Sequence, residues 1–134
     1  MMVLWILLAT VVVMFGYIRL APSDPASWNT MPSVTQNENL PGGTKRLIPA
    51  GPDGLARFDA IARATPRTTV LAGSPDEGMV TYVTRSKIIG FPDYTTVQQD
   101  GDTLKIYARL RFGQSDFGVN RDRVDAWISE LQAR

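Results

Sequence analysis

Histidine and cysteine are both absent from this chain, so its chemistry must rest on arginines, carboxylates and hydroxyls. That removes the usual zinc ligands, the usual neutral-pH general base and every thiolate or disulfide. A metal would need a hard cation held by carboxylates, and neither metal nor cofactor is expected. The clearest spacing lies in residues 103–112, where Leu104, Ile106, Ala108, Leu110 and Phe112 alternate with Lys105, Tyr107, Arg109 and Arg111. Such alternation describes a strand with one buried face. Arg109 and Arg111, two apart, project from the other face with Lys105 and Tyr107 in line. Arg85 and Lys87 share a face of a second predicted strand and join them where register allows. Fixed guanidinium groups suit carboxylates or phosphates. A solvated face paired with nearby aspartates would use the same residues.

Two further groups invite a chemical reading. The loop from Gly113 to Asn120 contains Ser115, Asp116 and Gly118 and leads into a predicted helix, whose first amides can hold an anion. Asn120 as N-cap would satisfy those amides itself, and Asp116 would repel an anion. Asp93 and Tyr94, after Phe91-Pro92, offer an acid and a hydroxyl. With no histidine, an enzyme would have to rely on such a carboxylate tuned by burial. Turn and sheet-surface roles account for the same residues.

The elements that must position these groups follow from pattern. Asp53 is a plausible N-cap for a helix over 53–64, with Leu55, Phe58, Ile61 and Ala62 on one face and Pro66 closing it. Strands are expected at 45–48, 68–72, 79–88, 94–99 and 103–112, with Asp100-Gly101 as a hairpin turn. A last helix from about residue 121 carries Val124, Trp127, Ile128 and Leu131 as its apolar stripe. The predicted architecture is α+β: an antiparallel sheet of four to five strands packed by two helices, preceded by one N-terminal transmembrane helix.

That leading helix is read from residues 1–18, which hold no charged side chain before Arg19. At about 1.5 Å per residue they reach the roughly 30 Å of a bilayer core. A cleaved leader would show basic residues first, a shorter apolar core and a small-residue cleavage site. The expectation is therefore an uncleaved single-pass anchor over 1–19, in a bacterial inner membrane, with the side of the soluble part open. Residues 20–46 are rich in proline and read as an irregular tether, in which Trp28 should pack on the domain or the membrane interface. Residues 47–134 form the domain. Fourteen basic and thirteen acidic side chains leave almost no net charge, so nucleic acid is not an expected partner.

The block Ile106-Tyr107-Ala108-Arg109-Leu110-Arg111-Phe112-Gly113-Gln114-Ser115-Asp116-Phe117-Gly118-Val119-Asn120-Arg121-Asp122-Arg123-Val124 is similar to bacterial and plastid proteins grouped as domain of unknown function 1499. Tyr82-Val83-Thr84-Arg85-Ser86 and Gly90-Phe91-Pro92-Asp93-Tyr94 extend the resemblance from about residue 47 to 131. The family pattern has Phe-x-Asp-Asp where this chain has Phe91-Pro92-Asp93-Tyr94, so one acid of that pair is replaced. The resemblance implies no activity. It marks Arg85, Ser86, Asp93, Arg109, Ser115, Asp116, Gly118, Asn120 and Arg123 as positions to test.

The function expected from all this is a non-catalytic, membrane-tethered domain. It would bind an anionic small molecule, a lipid headgroup or a protein partner through the Arg109 and Arg111 face. One alternative is a hydrolase-type or acid/base enzyme using Asp93 or Asp116, with arginines holding an anionic substrate. Another is a structural subunit of a membrane complex.

Overall fold

Met2–Leu20 forms helix α1, apolar on every side and with only Ile18 buried. Its mean hydropathy of 2.2 and its length suffice to cross a membrane, properties that a signal sequence shares. The computed structural model describes residues 1–134. After α1 come a short helix α2 (Pro25–Trp28), strands β1 (Glu38–Leu40) and β2 (Gly43–Pro49) and helix α3 (Gly54–Arg63). Strands β3 (Thr68–Ser74), β4 (Met79–Arg85), β5 (Pro92–Asp100) and β6 (Thr103–Leu110) follow, and helix α4 (Val119–Ala133) closes the chain. All six strands form one antiparallel sheet in the order β1-β2-β6-β5-β4-β3.

The α+β class is as expected, with six strands in place of four to five. The extra one, β1, is three residues long and too short to show alternation. The predicted extension of β4 to residue 88 stops at Arg85. There the loop folds back, and the Ser86 hydroxyl accepts from the Gly90 and Phe91 amides.

Helices α3 and α4 cover one sheet face. Leu104, Ile106 and Ala108 of β6 join Val97, Val80, Tyr82, Phe58 and Trp127 in the core. The polar tips inside it are satisfied: Tyr82 donates to Asp59 at 2.7 Å and the Trp127 indole donates to Thr65 at 2.8 Å. Burial, reinforced by that bond to Asp59, pushes the Tyr82 phenol far above its usual value.

The opposite face is covered by the chain's own N-terminal stretch. Residues 20–46 are irregular over much of their length, yet Ala21 and Val34 are buried and Trp28 stacks on Tyr94 with ring centroids 3.9 Å apart. Thr81 donates to the Asn29 side chain at 2.8 Å, and Thr96 donates to the Trp28 carbonyl at 3.2 Å. A tryptophan there is stable because the sheet supplies both an aromatic platform and hydrogen-bond donors. Trp28 thus packs on the domain surface.

Candidate functional site

Side-chain parity along the strands decides which functional residues meet. Asp93 pairs with Leu110 and Tyr94 with Arg109, so Asp93 points to the helix side while Tyr94 and Arg109 point to the strapped side. Pairing of Arg85 with Pro92 and Thr84 with Asp93 puts Arg85 on the Arg109 side as well. The residues singled out by sequence therefore fall into three groups, not one.

The first is the Arg109 face, expected to be open to a ligand and found closed. The Arg109 guanidinium donates to Thr96 at 2.7 Å and to the Trp28 carbonyl, and it lies over the rings of Tyr107 and Trp28 at 4.7 and 5.3 Å. Only 9 % of the residue is exposed, and burial pulls its pKa down from the ordinary arginine value. Arg111 is occupied too, donating to Pro22 at 2.9 Å and to the Tyr94 hydroxyl at 3.1 Å. These arginines clamp the strap. Sequence alone placed Trp28 on a surface but gave no register to say which surface.

The second group lies at the start of α4. The helix begins at Val119, with Gly118 as its cap in a left-handed conformation, instead of near residue 121 with Asn120 as cap. Asp116 does the capping: its carboxylate accepts from the Gly118 amide at 3.0 Å, the Asn120 amide at 2.9 Å and the Asn120 side chain at 2.8 Å. Those bonds hold its pKa below the ordinary carboxylate value despite the cost of desolvation. Asn120 is fully buried and also accepts from Arg123 at 3.0 Å. Arg123 in turn meets only Oδ2 of Asp93, at 3.4 Å. Burial pushes the Asp93 carboxyl up, and Arg123 and Asn120 offset that only in part.

Beside this network lies a cavity of about 350 Å³. Phe91, Leu110, Phe112, Phe117 and Val119 supply its apolar wall, and Asp93, Asp116, Ser86 and Ser115 its polar one. Phe117 is almost fully exposed and has φ +54°, in the left-handed region that a bulky side chain avoids.

The third group is a hollow of about 280 Å³ that sequence reasoning saw only in part. Arg19, Arg67, Arg85 and Lys87 line it with Ser86 and Gly90, and no acid is among its lining residues. Arg85 donates to the Gly90 carbonyl at 2.9 Å, Arg67 to the Arg85 carbonyl at 3.1 Å and Arg19 to the Ile88 carbonyl at 3.4 Å. None of the four takes part in any of the seven ion pairs of the chain. The three arginines are each steadied by one backbone carbonyl, with most donors left over, whereas Lys87, expected on the strand, lies in the exposed loop past its end at Arg85. Gly90 is required here: its φ is +84°, and a Cβ would sit 3.2 Å from Arg19 Cγ. Arg67, with φ +59°, is the other non-glycine residue in the left-handed region. From sequence, Arg19 is only the charge that ends the apolar run and Arg67 has no role; the start of the β3–β4 pairing brings Arg67 to Arg85, and the contact of Arg19 with the loop at Ile88 and Gly90 adds the third guanidinium.

Ser86 lines both cavities, which lie on either side of the loop from Ser86 to Phe91. Neither contains a cluster of three or more acidic or other ligating side chains fit for a metal ion. No curated protein and no solved structure matches the chain. Residues 18–131 match the family described as protein of unknown function (DUF1499), a span that contains all three groups. The chain belongs to the DUF1499 family.

Proposed function

We propose that this protein is a single-pass membrane-anchored domain that binds a phosphate-bearing headgroup in the hollow formed by Arg19, Arg67, Arg85 and Lys87. The observation that carries the reading is four cationic side chains around one hollow with no carboxylate partner among them. Like charges gathered without compensation cost stability, and an anion relieves that cost. The position of Arg19 supports the membrane side of the reading. It is the first charged residue after the apolar run of α1 and would lie at the headgroup layer. Ile88, 83 % exposed on the neighbouring loop, adds an apolar side chain able to enter the interface.

The test uses the full chain in a non-ionic detergent, with a short-chain phosphatidic acid as ligand. Its unfolding midpoint should rise with lipid, and less so as salt is raised. The double variant Arg85→Ala, Lys87→Ala should lose most of that rise. A midpoint indifferent to the lipid, or a variant that responds like wild type, defeats the proposal. The anchor has its own check, since the intact mass of membrane-extracted protein should include residues 1–20.

A further inference from the structure

Two loops hold the last turn of α1 from opposite sides. Tyr17 meets Phe112 edge-on at 6.3 Å, while Arg19 donates to the Ile88 carbonyl at 3.4 Å and lies against Gly90. At about 100° per residue, Tyr17 and Arg19 stand about 200° apart round the helix. Ile18, the one buried residue of α1, falls between them. This clasp sets how far down α1 each loop reaches.

On one side, the loop from Ser86 to Phe91 extends past Arg19 toward the apolar run. Ile88 and Ile89 share a groove of about 330 Å³ with Phe15 and Gly16. Those two residues belong to the uncharged stretch and lie about 4–6 Å farther along α1 than Arg19. On a spanning α1, the isoleucines therefore stand at the depth where acyl chains begin. On the other side, the loop before α4 carries Phe117, which is 92 % exposed and shares a cavity wall with Phe112. A phenyl ring left in water gains nothing from burial, and the left-handed backbone of Phe117 adds to its cost. A covering layer from outside the chain would offset both.

We propose that these two loops form a membrane-docking surface, with Ile88 and Ile89 on one side of α1 and Phe117 on the other entering the leaflet that α1 crosses. Lipid is the occupant because the surface continues the apolar run of α1 and is edged by the four cations of the hollow. Apolar tips beside cationic flanks fit a boundary with acyl chains below and phosphates above. Ser86, Lys87, Gln114 and Ser115 are polar and exposed on the same loops, which keeps the insertion shallow. The inference rests on the anchor half of the reading above and not on phosphate binding. A domain held on both sides of its anchor keeps one tilt and cannot swing about the end of α1.

The experiment uses full-length Ile88→Cys and Phe117→Cys, with Glu130→Cys as reference, each spin-labelled in phosphatidylcholine nanodiscs. Residues 88 and 117 are highly exposed, so both variants should fold as wild type does. Collisions of each label with oxygen, which concentrates among acyl chains, are compared with collisions with a water-soluble nickel chelate. The oxygen-to-nickel ratio should be several-fold higher at residues 88 and 117 than at residue 130.

Ratios at 88 and 117 equal to that at 130 overturn the docking surface. Labels shielded from both reagents assign the loops to a protein neighbour, a second copy included, and overturn it equally. A high ratio at 88 alone overturns the two-sided arrangement. No phosphatidic acid is present, so high ratios leave this surface standing even where the unfolding midpoint ignores that lipid and the phosphate reading falls. A responsive midpoint with low ratios does the reverse. Absence of residues 1–20 from the intact mass overturns the anchor itself and the docking with it.

Discussion

At the scale of single residues, the two aspartates near α4 respond to pH in opposite senses. Asp116 is held below its ordinary pKa by two amides and Asn120, so the stability it contributes is present above the unfolded carboxylate value. That contribution is lost as pH falls through its depressed folded value. Asp93 is raised by burial, so its ionisation weakens the fold as pH climbs from the unfolded value to the raised one. The groups facing Asp93 are Arg123, Asn120 and Asp116. Arg109 makes a contrasting case. Arg109→Met should cost about 2–3 kcal/mol in thermal or denaturant unfolding, since the Trp28 carbonyl loses a charged donor, yet lipid binding should not change. Arg67→Gly should separate the two roles the other way. Relief of the left-handed backbone leaves stability within about 1 kcal/mol of wild type, while phosphate affinity falls.

At the scale of elements, β6 was legible in the sequence because its alternation is unbroken from Leu104 to Leu110 and its inward residues are all apolar. The α3 stripe of Leu55, Phe58 and Ile61 was legible for the same reason, and all three are buried. What the sequence could not supply was pairing parity. Asp93 and Arg109 both looked like members of one polar site, and only the register of β5 on β6 shows that they project to opposite sides. The start of α4 was misplaced because Asp116 and Asn120 are both good capping residues four apart, and choosing between them needs the loop geometry. Asp116→Ala tests the outcome: loss of three accepted bonds should destabilise the fold by about 1–2 kcal/mol, whereas Asp116→Asn retains part of that. The segment strapped over the sheet was the hardest element to foresee. It has no periodicity, and its order comes from long-range partners such as Tyr94 and Thr81.

At the scale of the whole molecule, one end of the sheet gathers α1, the loop from Ser86 to Phe91 and the loop before α4. Arg19 touches Ile88, and the Tyr17 ring meets Phe112 edge-on at 6.3 Å. Helix α4 then leads away for about 22 Å toward the far end. The absence of cysteine makes this orientation easy to measure. A fluorophore on Ile88→Cys should shift to the blue when the protein moves from detergent into lipid nanodiscs, and one on Glu130→Cys should not. Equal shifts at the two positions would speak against the proposed docking of this end on the bilayer.

The strap has a further consequence for how a ligand is found. Ala21 is buried one residue past α1, and the Pro22 carbonyl and Ser23 hydroxyl are already bound to Arg111 and Tyr94. On the proposed anchoring, the domain has almost no leash and sweeps no volume above the bilayer. Its encounters are then confined to molecules diffusing within the same leaflet, a search in two dimensions. Occupancy of the site would track the mole fraction of the headgroup in that leaflet, whatever the volume of the compartment outside.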